Sequence, residues 1–261
     1  MIRQRLFKRF GDDAGRRVRT LVLIAAVALF AACAGNDEQE DAAVDNLQEA
    51  YDAAKQAAQR QNYRRAIQIY EAIQARYPFS DLSRQVQLEL MHAYYKAELK
   101  EQAVETADTF IRENPIHPRV DYALYIKALA YFEDDAGWIE RRFKRDITER
   151  PPNDVLLSYS TLRRLVERYP ASQYAPDAHQ RMVFLKNRMA AYENHVADYY
   201  LRRGAYVAAL RRAQAALEEY NGSPGNKESL RIMAEAYENL GMMDLAADTR
   251  RVLDLNYPGE G

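Results

Sequence analysis

Cysteine is almost missing: the 261 residues hold one, Cys33. A disulfide within the chain is thereby excluded, even in an oxidising compartment. Catalytic patterns are missing as well. There is no Gly-rich phosphate loop and no G-x-S-x-G elbow. His92, His117, His179 and His195 are scattered, with no pair at i, i+4 around a Glu, so no zincin-type metal signature exists. His117 lies between Pro115 and Pro118 and reads as a turn residue. Acid pairs such as Asp134-Asp135 and Glu218-Glu219 read as solvated helix ends or faces. The expectation is therefore no catalytic residue, no metal ligand and no cofactor. An excess of positive charge is missing too. The net charge is -1, and the basic residues Arg3, Arg5, Lys8, Arg9, Arg16, Arg17 and Arg19 crowd the start, which leaves the body net acidic. Such a body argues against nucleic acid as the main partner, because phosphate binding needs a basic face.

The basic start is followed by LVLIAAVALFAA, residues 21–32. This apolar stretch falls short of the roughly 20 residues of a membrane-spanning helix and fits the core of a secretory signal. Ala31 and Ala32 precede Cys33, and Ala34 and Gly35 follow. The arrangement resembles a bacterial lipobox, with Phe30 preceded by Leu29 where Leu is usual. It implies a signal peptide over 1–32, an S-diacylglycerol on Cys33 and a further, palmitate-type acyl chain on its freed amine. Each buried CH₂ contributes about 0.8 kcal/mol, so several chains anchor firmly where one is marginal. Ala34 in place of Asp implies the outer membrane, on its periplasmic face, rather than retention in the inner one. Residues 33–44 read as an acidic tether between lipid and domain.

The body repeats. Five segments end in matching punctuation: Tyr77-Pro78, Asn114-Pro115, Tyr169-Pro170, Tyr220-Asn221 and Tyr257-Pro258. Eleven residues before each lies a small side chain: Ala66, Ala103, Ser158, Ala209 and Ala246. Small residues at a fixed helical position let two helices approach closely. Ala57, Tyr94, Tyr200 and Tyr237 recur nine residues further back, and Gly204 and Gly241 fall in the matching turn. This is the tetratricopeptide pattern, helix–turn–helix closed by a proline that cannot continue the second helix. The expected fold is all-α, a right-handed superhelix of five helix-turn-helix repeats at about 45–78, 81–115, 117–170, 172–221 and 225–258. The third carries an insertion, 133–152, with the basic run RRFKR at 141–145. The surplus in the fourth is assigned to a long first helix over 173–202, which has no Gly or Pro after Pro176.

First helices of such repeats line an inner face. Projecting the i, i+4, i+7 register gives Tyr51, Lys55 and Gln59, then Leu88, His92, Tyr95 and Lys96, then Tyr122, Tyr125, Leu129 and Phe132. Later repeats give Asn194, Asp198 and Leu201, then Arg231, Glu235 and Glu238. The first half is aromatic and lightly basic; the second is polar and charged. An aromatic groove suits an extended peptide whose terminal carboxylate meets a lysine, and a charged surface suits a folded partner. Many of the 19 tyrosines also fill structural slots, so packing is an equal reading for any one of them.

Three strings carry a family resemblance: RYPFSDLSRQVQLELMHAYYK (76–96), NPIHPRVDYALYIKALAYF (114–132) and SQYAPDAHQRMVFLKNRMAAYENHVADYYLRRGAYVAALRR (172–212). They resemble the BamD, or ComL-type, lipoproteins of the outer-membrane β-barrel assembly machinery. The resemblance implies a non-enzymatic, lipid-anchored periplasmic scaffold. Its implied partners are a BamA-type β-barrel insertase, accessory Bam lipoproteins and unfolded outer-membrane proteins bearing a C-terminal strand signal. The implied substrate groove holds Tyr51, Lys55, His92, Tyr95, Lys96, Tyr122, Tyr125 and Phe132. The implied insertase dock holds Arg202, Arg203, Arg211 and Arg212. The competing readings are another periplasmic tetratricopeptide lipoprotein, serving pilus assembly or cell-wall coordination, and an envelope enzyme, for which no acid–base site is visible.

Overall fold

Apolar residues at helical spacing, punctuated by short turn signals, leave the chain little choice but helical hairpins. The computed structural model describes residues 46–132 and 153–258. Among these residues it contains ten helices and no strand. They are α1 (Leu47–Gln59), α2 (Tyr63–Arg76), α3 (Ser83–Lys96), α4 (Lys100–Glu113), α5 (Val120–Tyr131), α6 (Asn153–Arg168), α7 (Ala175–Arg202), α8 (Tyr206–Glu219), α9 (Asn226–Asn239) and α10 (Met243–Asn256). Consecutive helices form five hairpins, and the expected all-α class holds. The leader with Cys33, the tether and the insertion 133–152 with its RRFKR run lie outside the described residues.

The hairpins fall into two compact units divided between Ser83 and Arg84. The first holds α1 and α2. Asn46 caps α1 by accepting from the backbone N–H of Gln48 and Glu49, and Asn62 caps α2 by accepting from that of Arg65. Ala50, Tyr51 and Ala54 of α1 are buried, as are Ala66, Ile67, Tyr70 and Ile73 of α2.

The second unit begins one residue into α3 and runs through α10. Its larger core joins Leu88 and Met91 of α3, Phe110 of α4, Leu124 of α5, Leu162 and Leu165 of α6, and Leu185 and Met189 of α7. A smaller, alanine-rich core joins Ala197 and Leu201 of α7, Ala209 and Ala213 of α8, and Ile232 and Ala236 of α9. The 28-residue α7 thus belongs to both.

Two turn types recur. Within four hairpins the first helix ends in a Schellman motif. The N–H groups of Asn62, Leu99, Ala205 and Met242 reach back five residues to the carbonyls of Ala57, Tyr94, Tyr200 and Tyr237. Each of these turns needs one residue at positive φ: Gln61 (61°), Glu98 (61°), Gly204 (74°) and Gly241 (75°). At the end of every second helix, the N–H of Tyr77, Asn114, Tyr169, Tyr220 or Tyr257 bonds the carbonyl four residues earlier. These are the positions of the sequence punctuation. The small-residue slots Ala66, Ala103, Ser158, Ala209 and Ala246 are all 0–1% exposed. In the third hairpin the Ser158 hydroxyl donates to the Ala128 carbonyl at 2.9 Å, so its polar atom is satisfied where the other hairpins carry a methyl.

Candidate functional site

The site is built where α5 and the first turns of α7, first helices of successive hairpins, lie against each other. On α5 and at its C-cap, the aromatic residues Tyr122, Tyr125 and Phe132 are half-buried against the larger core. From α7 and its N-cap they meet Tyr174, Asp177, Arg181 and Phe184, spaced at i, i+3, i+7 and i+10 along one face. The Arg119 guanidinium sits over the Tyr122 ring, 4.7 Å from its centroid. The Tyr122 and Tyr174 rings are 5.6 Å apart, and Tyr174 stacks on Tyr125 at 4.7 Å with a 17° interplanar angle. The Tyr125 hydroxyl donates to Asp177 Oδ2 at 2.7 Å, and Arg181 Nε donates to the same oxygen at 2.6 Å. Arg181 then covers the Phe132 ring at 4.6 Å, and Phe132 lies 5.6 Å from Phe184. The result is a continuous ladder of aromatic rings with a guanidinium over its first ring, at Tyr122, and a polar rung before Phe132.

The electrostatics of the ladder follow from half-burial. Burial, then the nearby Glu89 and Tyr174, push the Tyr122 phenol up. Burial, then the hydrogen bond to Asp177 and its charge, push Tyr125 up to about 12. Burial also works against the Asp177 carboxylate, but the hydrogen bonds from Arg181 and Tyr125 and the Arg181 charge hold it below its ordinary value. At neutral pH Tyr122 and Tyr125 are therefore intact phenols, and Asp177 is an ionised, doubly bonded carboxylate. The ladder's ring faces suit side-chain contact and its polar rung suits a peptide backbone. Among the described residues no group of His, Cys, Asp or Glu could hold a metal ion.

The projected groove residues fare unequally. Tyr51 is not on an open face: it is 8% exposed and packs 6.3 Å from Tyr70. Lys55 and Gln59 are exposed, with the Lys55 ammonium 5.6 Å from the Tyr51 centroid. Leu88, Asn194 and Leu201 are likewise buried rather than exposed. Asn194 serves as an internal strut, donating to the Gly225 carbonyl at 2.7 Å and accepting from the Ser229 hydroxyl at 2.7 Å. The cause is the starting register: Tyr51, Leu88 and Asn194 open their series on the buried stripe, and Leu201, seven residues after Asn194, falls on the same helix face. His92 is half-buried, and burial, then the Lys96 charge, lower its basicity. Tyr95 is half-buried, with the exposed Lys96 ammonium 5.9 Å from its centroid. Leu129 packs against the same core. Tyr174, Asp177, Arg181 and Phe184 escaped the projection because the register of the fourth repeat was taken from the far end of α7.

The arginines assigned to a dock occupy the end of α7 and the middle of α8. Arg202 pairs with Asp198 at 3.1 Å, and Arg203 covers the Tyr199 ring at 4.7 Å. Arg212 Nη1 donates to both oxygens of Glu193, at 3.0 and 3.3 Å, which raises its basicity further. Arg211 has no ion pair among the described residues. It lines a shallow pocket of about 500 Å³ with Gly204, Tyr206, Val207 and Leu240. On α9, Arg231 is enclosed by Glu228, Glu235 and Asp198. The projected Asp198, Arg231, Glu235 and Glu238 are thus held in ion pairs within the chain, Glu238 with Arg250.

A family model described as YfiO, outer membrane lipoprotein, matches residues 44–253, which takes in the ladder and the arginines alike. The chain belongs to the YfiO family. Relatives named "Outer membrane protein assembly factor BamD" agree with this membership. That of Neisseria meningitidis serogroup A is 40% identical over 213 residues, 82% of this chain and 80% of its own. That of Neisseria gonorrhoeae is 37% identical over 91% of this chain and 90% of its own. That of Vibrio cholerae is 37% identical over 90% of this chain and 96% of its own. The BamD resemblance read from the three strings is therefore upheld over nearly the whole YfiO-family body. Among solved structures, a thermophilic TPR protein of Thermus thermophilus aligns at 18% identity over 82% of this chain and 93% of its own, with a TM-score of 0.38. No helix among the described residues is long and apolar enough to cross a membrane.

Proposed function

We propose that this protein is a scaffold of outer-membrane β-barrel assembly, held at the periplasmic face of the outer membrane by acyl chains on Cys33. It carries a precursor's C-terminal strand and docks a barrel insertase, with accessory lipoproteins completing the complex. The observation that carries the reading is the α5–α7 ladder, an aromatic surface with a polar rung, in a chain 37–40% identical to proteins named assembly factors. An extended strand offers alternating side chains to such a surface and its backbone to the polar rung. Anchoring raises the local concentration of scaffold around a membrane-embedded partner. Binding must stay weak, because the strand has to be surrendered to edge pairing in the insertase. The Arg202, Arg203, Arg211 and Arg212 cluster supplies the dock. Arg203 and Arg211 are its uncommitted charges, while Arg202 and Arg212 must share theirs with Asp198 and Glu193.

The test is a pull-down of the tagged, lipidated protein from mildly solubilised membranes. A large β-barrel protein with periplasmic repeats is expected to co-purify and to be lost with Arg212→Glu. A Glu193→Gln control, which frees Arg212, should retain it. Recovery of pilus or cell-wall proteins in its place overturns the assembly role.

A further inference from the structure

The ladder is asymmetric, and its two ends differ in charge state. Arg181 is committed to Asp177, whereas Arg119 has no carboxylate partner among the described residues. Arg119 is exposed and held over a half-buried ring, which fixes its position without neutralising it. The neighbouring Asp121 does not compete for it. One Asp121 oxygen accepts from the Tyr122 N–H and the other from the Ser172 hydroxyl at 2.6 Å, across the α5–α7 junction.

We infer that Arg119 is the receptor for the terminal carboxylate of an extended peptide whose last side chain is aromatic, and that the ladder reads this peptide in one direction only. The inference rests on the proposed strand-binding role and adds its polarity. With the carboxylate on Arg119, the last aromatic ring lies against Tyr122 and Tyr174. The chain then runs along α5 toward Phe132 and Phe184. From Arg119 to Phe132 is about 20 Å at the helical rise of 1.5 Å per residue. An extended chain covers that distance in about six residues, and every second side chain faces the same way. Three side chains therefore meet the rings, matching the alternation of a barrel strand. Asp177 uses only Oδ2 for Tyr125 and Arg181, so Oδ1 is placed to accept a peptide N–H midway. Lys96 is the rival cation. It is exposed over Tyr95 on α3, a ring that makes no ring-to-ring contact with the ladder among the described residues. Glu89, on the same helix as Lys96, lies near Tyr122 and works against an incoming carboxylate.

The test measures binding of a ten-residue barrel-strand peptide ending in Phe, as free acid and as C-terminal amide, to the full protein by fluorescence anisotropy. The unmodified protein is expected to prefer the acid about tenfold, the low end for a hydrogen bond to a charged group. Arg119→Gln should bring the acid down to the amide's affinity. Arg119→Lys should keep part of the preference, and Glu89→Gln should enlarge it. An unchanged acid-to-amide ratio in Arg119→Gln overturns the assignment, as does loss of the preference in Lys96→Gln instead. Equal binding of acid and amide by the unmodified protein removes the carboxylate arm but leaves the ladder as a strand site. Failure to bind either peptide removes the strand site as well.

Discussion

His92 shows how a single half-buried side chain writes a pH dependence into the fold. Burial, then the Lys96 charge, pull its folded-state pKa below the ordinary 6.5, and Glu89 opposes them more weakly. The unfolded chain therefore binds a proton more readily than the folded one below pH 6.5. The stability that neutral His92 contributes is complete above that pH and is lost progressively as the pH falls through the window below it. The expected result is a stability that drops as the pH falls below 6.5 and drops less steeply in His92→Gln, measured by urea unfolding at each pH. The residue-level reading of the site was uneven for a related reason. Types were legible: tyrosines, arginines and lysines at helical spacing marked a candidate binding surface. Burial was not, because Tyr51 and Tyr125 look alike in a string. Only packing tells that the first fills its own hairpin and the second holds a carboxylate.

At the scale of the element, the hairpin turns were the most legible feature, since they depend on backbone chemistry that few residues can supply. Gly204 and Gly241 mark the left-handed position at sight, and the Pro that follows most of the second helices marks where each ends. Gln61 and Glu98 hide the same turn, because a residue with a Cβ can occupy the position at a cost. That cost is testable. Gln61→Gly and Glu98→Gly are each expected to raise stability by about 0.5 to 1 kcal/mol, the strain relieved being partly offset by a freer unfolded chain. Gly241→Ala should lower it by about 1 kcal/mol, and purely through the backbone, since a Cβ there meets no atom within 4 Å. Thermal and urea unfolding of the three variants read the signs directly. The long α7 was legible from the missing breakers after Pro176, yet which of its turns faces α5 was not. Asn194, Asp198 and Leu201 lie in the far half of α7, beyond the turns at 174–184 that meet α5, so a register read there does not reach them.

Across the whole molecule the two proposed activities draw on different forces. The ladder works through ring faces and one paired rung, the dock through exposed guanidiniums. Exposed charges are screened within about 8 Å at physiological salt, while desolvated ring contacts are not. Raising the salt from about 0.05 to 0.5 M is therefore expected to weaken insertase recovery several-fold and to leave binding of the amidated strand peptide nearly unchanged. Equal salt sensitivity of the two would mean that one surface serves both.

The length of α7 also sets a reach. Phe184 closes the ladder and Arg202 opens the arginine cluster on the same helix. The eighteen residues between them rise about 27 Å. A barrel strand of about ten residues, with six laid on the ladder, has about four left, or some 13 Å of extended chain. Held this way, a final strand stops well short of the arginines. On the proposed roles, the turn before it and the strand before that would be the first to reach an insertase docked at the arginines, so a precursor would be offered hairpin-first, with its last strand the final one to leave.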